Sequence, residues 1–244
     1  MLTRCMIAEN RKLNGSVIWL AFFIIPLFPA IMGTYNYTQN LGILKNGWYD
    51  LWTQHTLFYA TFFFAPLVGL YAAYLWRLEH LGHNWNTIMS APVRPFYLFF
   101  AKFIVIVKMA LLTQLWVFVL FTLCGHFWAG LPGFPPADII LWLLRGVLGG
   151  VAIITLELLF AMVLRSFTAP ILAGLAGGIV GMLFNAKGHG LLFPYSLMLL
   201  GMNSNRTENV LSNQLLPFLS MCAVFSVVFF ALAYLFLTRR DVHT

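Results

Sequence analysis

The chain reads as long apolar runs separated by short polar interruptions. A bilayer-spanning helix needs about 20 predominantly apolar residues. Such runs are legible at about 17–35, 57–76, 96–124, 138–164, 169–186 and 214–237. They predict an all-α integral membrane protein with six transmembrane helices, forming one domain over residues 1–244. Residues 1–16 mix Arg4, Glu9, Arg11 and Lys12 with Leu2, Met6 and Leu13, which fits either an interfacial amphipathic helix or a frayed polar tail. Asn14-Gly15-Ser16 marks the start of span one, and Pro26 and Pro29 inside it predict a kink. Residues 36–56 read as a polar loop whose Trp48, Tyr49 and Trp52 suit a membrane interface. Between spans five and six, the apolar piece from Gly190 to Met202 is broken by Pro194 and is too short to cross. A re-entrant or interfacial hairpin is expected there.

The longest polar interruption on the side assigned below as cytoplasmic runs from Trp76 to Pro95. Leu78, Leu81, Trp85 and Ile88 fall at helical spacing, on one face of a short amphipathic helix ended by Ala91-Pro92. Such a helix can press one face on the membrane domain and offer the other to a soluble partner. It can equally be a plain surface connection.

Composition agrees with membrane embedding: 61% of residues are hydrophobic and 9% charged, with a mean hydropathy of +0.86. Six spans put both termini on one side. Arg4, Arg11, Lys12, Arg77, Arg94, Lys102, Arg165, Arg239 and Arg240 lie on that side, against Lys45, Lys187 and Arg206 on the other. The positive-inside rule makes the first side cytoplasmic. Basic loops facing anionic lipid account for the net charge of +7 without any nucleic acid. Cys5, Cys124 and Cys222 have no CxxC spacing and make no disulfide framework.

Catalytic signatures are missing. There is no HExxH, no GxSxG and no GxxxxGK[ST], so no P-loop nucleotide hydrolysis by this chain. His80 and His83 form one HxxH without a second histidine cluster, a pattern that belongs more often to a surface than to a metal. The intramembrane charges remain. Lys108 lies about 9 Å deeper than Lys102, and Glu157 about 12 Å deeper than Arg165, at helical rise. Similar depths on antiparallel spans predict a Lys108–Glu157 pair, either structural or a transport element. Span five carries two GxxxG pairs, Gly174/Gly178 and Gly177/Gly181, which permit close approach to a helix of the same chain or another.

The whole arrangement resembles the permease subunit of type-two ABC exporters, and within them the permeases that protect bacteria from lantibiotics and related antimicrobial peptides. The residues carrying the resemblance are the N-terminal Ala8-Glu9-Asn10-Arg11-Lys12-Leu13-Asn14-Gly15-Ser16 leading to an apolar span with Pro26, and the set Glu79, Trp85, Ala91-Pro92-Val93, Tyr97 and Lys102. The resemblance implies a multi-pass protein of the bacterial cytoplasmic membrane. It implies a second permease chain, identical or related, and a separate ATPase subunit that binds ATP and Mg. This chain would then hold no cofactor and be no enzyme. The stretch between spans two and three would be the coupling helix, with Glu79, Leu81, Trp85 and Ile88 at the ATPase contact. Glu79 would bond a basic group in the ATPase cleft or cap the helix start. Trp85 would dock, or merely anchor the helix in the headgroups. The same architecture also serves export of drugs, lipid-linked polymers or ions. A membrane enzyme or scaffold without an ATPase is the reading from another class.

Overall fold

A computed structural model describes residues 1–81 and 94–239. Its order is a short helix α1 (Leu2–Arg11) followed, among the described residues, by six helices long and apolar enough to cross a membrane. These are span one (Ile18–Gln39), span two (Trp48–His80), span three (Pro95–Trp128), span four (Ala137–Val163), span five (Thr168–Ala186) and span six (Leu215–Thr238). No strand occurs among the described residues. Of the two readings of residues 1–16, the helix is the one found. Gly15, at φ +66°, turns the chain from α1 into span one, and Ser16 Oγ accepts the Ile18 amide at 3.2 Å.

The prolines act where expected and once where not. Span one breaks into Ile18–Ile24 and Leu27–Gln39 around Pro26. In span two, a π-helical turn at Tyr59–Phe63 ends three residues before Pro66. Proline cannot donate to the turn before it, and the wider turn re-pairs the backbone there, the Phe64 N–H donating to the Tyr59 carbonyl, without ending the helix. A second π turn, Cys124–Trp128, closes span three.

Span two begins at Trp48, nine residues before the apolar run that announced it, so most of the expected 36–56 loop is helix. The polar residues there are turned inward. His55 Nε2 meets Thr34 Oγ1 at 2.7 Å, and Gln54 Oε1 accepts from Asn36 Nδ2 at 2.6 Å, both across to span one. Gly33 makes this closeness possible, since a Cβ there would stand 2.7 Å from the His55 Cα. Trp48 and Trp52, two of the three aromatics expected at a membrane interface, are buried in the bundle instead. Trp52 is fully buried and donates to the Met202 carbonyl at 2.8 Å, while Trp48 donates to the Pro132 carbonyl at 2.9 Å. These bonds tie span two to the connection after span three and to the end of the 190–202 piece. Both indole N–H groups find partners inside, as buried tryptophans require.

Span five is where small residues set the packing. Gly174 and Gly178 lie against the backbone of span two at Ala65 and at Thr61, whose carbonyl belongs to the π turn. Gly177 and Gly181 lie against Tyr195 and Ser196. The two GxxxG pairs thus face two neighbours within one chain. The 190–202 piece is a 3₁₀ turn, Gly190–Leu192, and a short helix, Ser196–Gly201, with every residue of the helix buried. It runs beside span four, where Gly149 contacts the Leu197 backbone. Span six packs chiefly along span four, and aromatic contacts join it to span three: Phe230 sits 4.8 Å from Phe103 and 5.7 Å from Phe99, ring centre to ring centre.

A Cβ at Gly178 would overlap the Thr61 carbonyl, whereas one at Gly42 meets nothing within 4 Å. Gly178→Ala is therefore expected to destabilise by about 1–3 kcal/mol through overpacking, and Gly42→Ala by little. Thermal unfolding in detergent reads the contrast; equal midpoints for the two variants would contradict this packing.

Candidate functional site

Span two ends at His80, and the residue after it, Leu81, is extended (φ −89°, ψ 144°). The helix of span two therefore does not continue through Leu81. Trp85 and Ile88 lie outside the described residues. What the structure does define is the root from which that stretch departs.

Glu79, in the last turn of span two, is buried at 3% exposure. Its Oε1 accepts from Lys102 Nζ at 2.7 Å and from Lys12 Nζ at 2.5 Å. Glu9 of α1 completes the cluster, with Oε2 at 2.8 Å from Lys102 and Oε1 at 2.6 Å from Lys12. Two carboxylates and two ammonium groups thus alternate around a neutral ring. Lys102 has no solvent exposure, and the Leu75 carbonyl takes its third proton at 2.7 Å. A lysine has three N–H donors, and here all three are used. The Trp76 ring lies 4.9 Å from the same ammonium. The cation also sits by the C-terminal end of span two, where helix carbonyls favour positive charge.

Local sequence explains the convergence. Glu9 and Lys12 are one helical turn apart and share the inner side of α1, beside buried Leu13. Tyr74 OH donates to the Lys12 carbonyl at 3.2 Å, and Trp19 Nε1 to the Leu13 carbonyl at 2.8 Å, so the end of α1 is fixed to spans one and two. Burial pulls the Lys12 pKa down, but Glu9 and Glu79 outweigh it and raise that pKa above the ordinary lysine value.

The other side of the span-two root is tied to the turn between spans four and five. His80 Nε2 contacts the Ala161 carbonyl at 2.9 Å, and the Arg77 guanidinium lies 5.7 Å from the centre of the Phe167 ring. The last turn of span two therefore touches α1, span three and the 164–167 turn together. Displacing it moves all of them or breaks ion pairs.

Glu79 does not cap a helix start: it stands in the last turn of span two, and its Oε1 is held inside the bundle by Lys12 and Lys102. Leu81 is 52% exposed and Leu78 46%, so these remain on the surface beside the undescribed stretch. The expected Lys108–Glu157 pair is not formed either. Lys108 is exposed and bonds Asn10 Oδ1, whereas Glu157 is fully buried and accepts from Tyr195 OH at 2.6 Å. Matched depth was right in principle but says nothing of azimuth. Six residues of helix turn Lys108 about 120° from the Lys102 direction, out of the buried ring and onto the exposed side of span three beside Asn10.

The cluster's other members had readable signals. A Glu-x-x-Lys turn on a helix face and a lysine inside an apolar run each require partners, although neither says where they are. Among the described residues no group of three or more His, Cys, Asp or Glu could hold a metal ion.

Six apolar crossing helices around buried ionic and polar contacts define a polytopic helical membrane protein. The chain belongs to the ABC-2 family of transporter proteins: the family model matches residues 6–181, well over half its length. It is a transport membrane component of that family. No curated protein and no solved structure matches the chain.

Lys102→Met leaves two buried carboxylates with only Lys12 and is expected to cost on the order of 3–5 kcal/mol. Adding Glu79→Gln leaves the neutral Glu9–Lys12 pair and should restore much of that loss. Thermal stability of the single and double variants decides it; equal damage would mean that the ring is not energetically coupled. Tyr195→Phe removes the hydroxyl that donates to Glu157 and should cost about 1–3 kcal/mol, while Lys108→Ala, at the exposed site, should shift unfolding little. A Lys108→Ala variant as unstable as Glu157→Ala would revive the pairing of those two residues.

Proposed function

We propose that this chain is the membrane-spanning subunit of an ATP-driven exporter. A separate ATPase subunit, carrying ATP and Mg, docks on the 82–93 stretch, and a second permease chain, identical or related, completes the transporter. The observation that supports this most is the anchoring of that stretch at its root: Glu79 and His80 pin it to α1, span three and span four. A push from a docked ATPase would reach several helices at once through stiff, short contacts. Membership in the ABC-2 family and the absence of a P-loop from the sequence agree with that division of labour. In this reading the protein lies in the bacterial cytoplasmic membrane, with α1, the 82–93 stretch and both termini on the cytoplasmic side.

The cargo we propose is a lantibiotic or related antimicrobial peptide, expelled for protection. The N-terminal segment and the Glu79–Lys102 set support it by their resemblance to protection permeases. The opposite, outer end of the bundle also has a polar cleft of about 440 Å³, lined in part by Asp50, Gln54, Arg206 and Glu208. Such a cleft offers hydrogen bonds to a peptide leaving the outer leaflet.

Trp85 is the expected docking anchor, since a buried aromatic often contributes about 2 kcal/mol or more to an interface. Trp85→Ala should leave the protein folded and membrane-inserted while weakening copurification with the ATPase roughly 30-fold and lowering coupled ATP hydrolysis. Full retention of both would remove the coupling role from this stretch. Growth assays with purified lantibiotic test the cargo separately: protection that does not require this chain overturns the peptide assignment and leaves the coupling result standing.

A further inference from the structure

The charges of α1 are divided between its two sides. Glu9 and Lys12 are used in the buried ring with Glu79 and Lys102. Arg11, by contrast, points outward, as does Asn10, and Asn10 bonds the ammonium of Lys108 on span three. Arg11 and Lys108 are exposed, and neither has a carboxylate partner among the described residues. Beside them, α1 and span three form a groove of about 490 Å³, with Met6, Ile7, Ile104 and Val105 as its apolar wall. Two cations therefore stand over an apolar trough, on a helix that crosses a membrane and on an amphipathic helix packed along it.

An uncompensated cation on a membrane helix is costly unless it reaches the interface or finds a counter-charge. A neutral amide such as Asn10 orients Lys108 but neutralises nothing. The missing partner must be anionic at one end and apolar at the other. We propose that this groove binds an anionic phospholipid, with its phosphate between Arg11 and Lys108 and an acyl chain against Met6, Ile7, Ile104 and Val105. Arg11 suits the phosphate through its planar fork of donors, and Lys108 adds a point charge. The bound lipid fastens the outer side of α1 to span three, as the ion ring fastens its inner side. It thereby couples lipid composition to the position of the helix that holds Glu9. This inference rests on membrane embedding and does not depend on the cargo or on the ATPase.

The test uses the full chain purified in an uncharged detergent. Its thermal midpoint is followed as phosphatidylglycerol, phosphatidylcholine or inorganic phosphate is added. Phosphatidylglycerol should raise the midpoint well beyond phosphatidylcholine, and inorganic phosphate should do little. Arg11→Gln combined with Lys108→Gln should at least halve the extra shift from phosphatidylglycerol and leave the phosphatidylcholine response unchanged. Lys45→Gln combined with Lys187→Gln, the same loss of charge at exposed sites elsewhere, should keep the full response. Equal shifts from both lipids, an equal effect of inorganic phosphate, or equal losses in the two double variants would overturn the proposal. So would a groove variant that keeps its lipid response but loses binding of the ATPase or of a second copy, which would make the groove a protein interface.

Discussion

The ammonium of Lys102 governs the lower half of this molecule. A lysine with no solvent exposure inside a helical bundle is tolerable only with its charge matched and every donor used. Here the matching groups come from elsewhere: Glu9 from α1 and Glu79 from the last turn of span two. Lys12 balances the second negative charge. The requirement is mutual, because each carboxylate would otherwise be buried beside apolar side chains. Satisfying one charge therefore fixes three elements relative to one another. Buried ion pairs seldom add net stability over apolar packing. Their effect here is positional: a shift of α1 or of the span-two root strips partners from buried charges.

The upper half is held by a different chemistry. Hydrogen bonds join Thr34 to His55 and Asn36 to Gln54, and the indoles of Trp48 and Trp52 reach the backbone carbonyls of Pro132 and Met202. Neutral contacts of this kind can exchange partners more readily than an ion ring can. Between the halves, glycines bring span five onto span two and onto the Ser196–Gly201 helix. Small residues let these backbones approach closely enough to transmit a displacement from one to the other. In the exporter proposed above, a movement begun at the 82–93 stretch would thus enter through rigid ion pairs and be spread by glycine contacts to the polar outer end.

The sequence by itself determined the membrane class, the crossing helices and the kink at Pro26, because each follows from composition or from a local backbone property. Apolar runs longer than a bilayer's thickness admit few alternatives, and proline acts within its own turn. It also marked residues in need of partners: Lys108, Glu157 and the glycines of span five. Only the tertiary structure decided the partners. Depth along a helix can be counted from the sequence, but azimuth relative to a neighbour depends on how the helices pack. That is why Lys108 meets Asn10 and Glu157 meets Tyr195. The early start of span two escaped notice for a related reason. Its residues Asp50, Thr53, Gln54 and His55 look like loop residues by hydropathy, yet they are buried against other polar groups of the bundle. Hydropathy measures transfer to lipid, and these side chains never enter it.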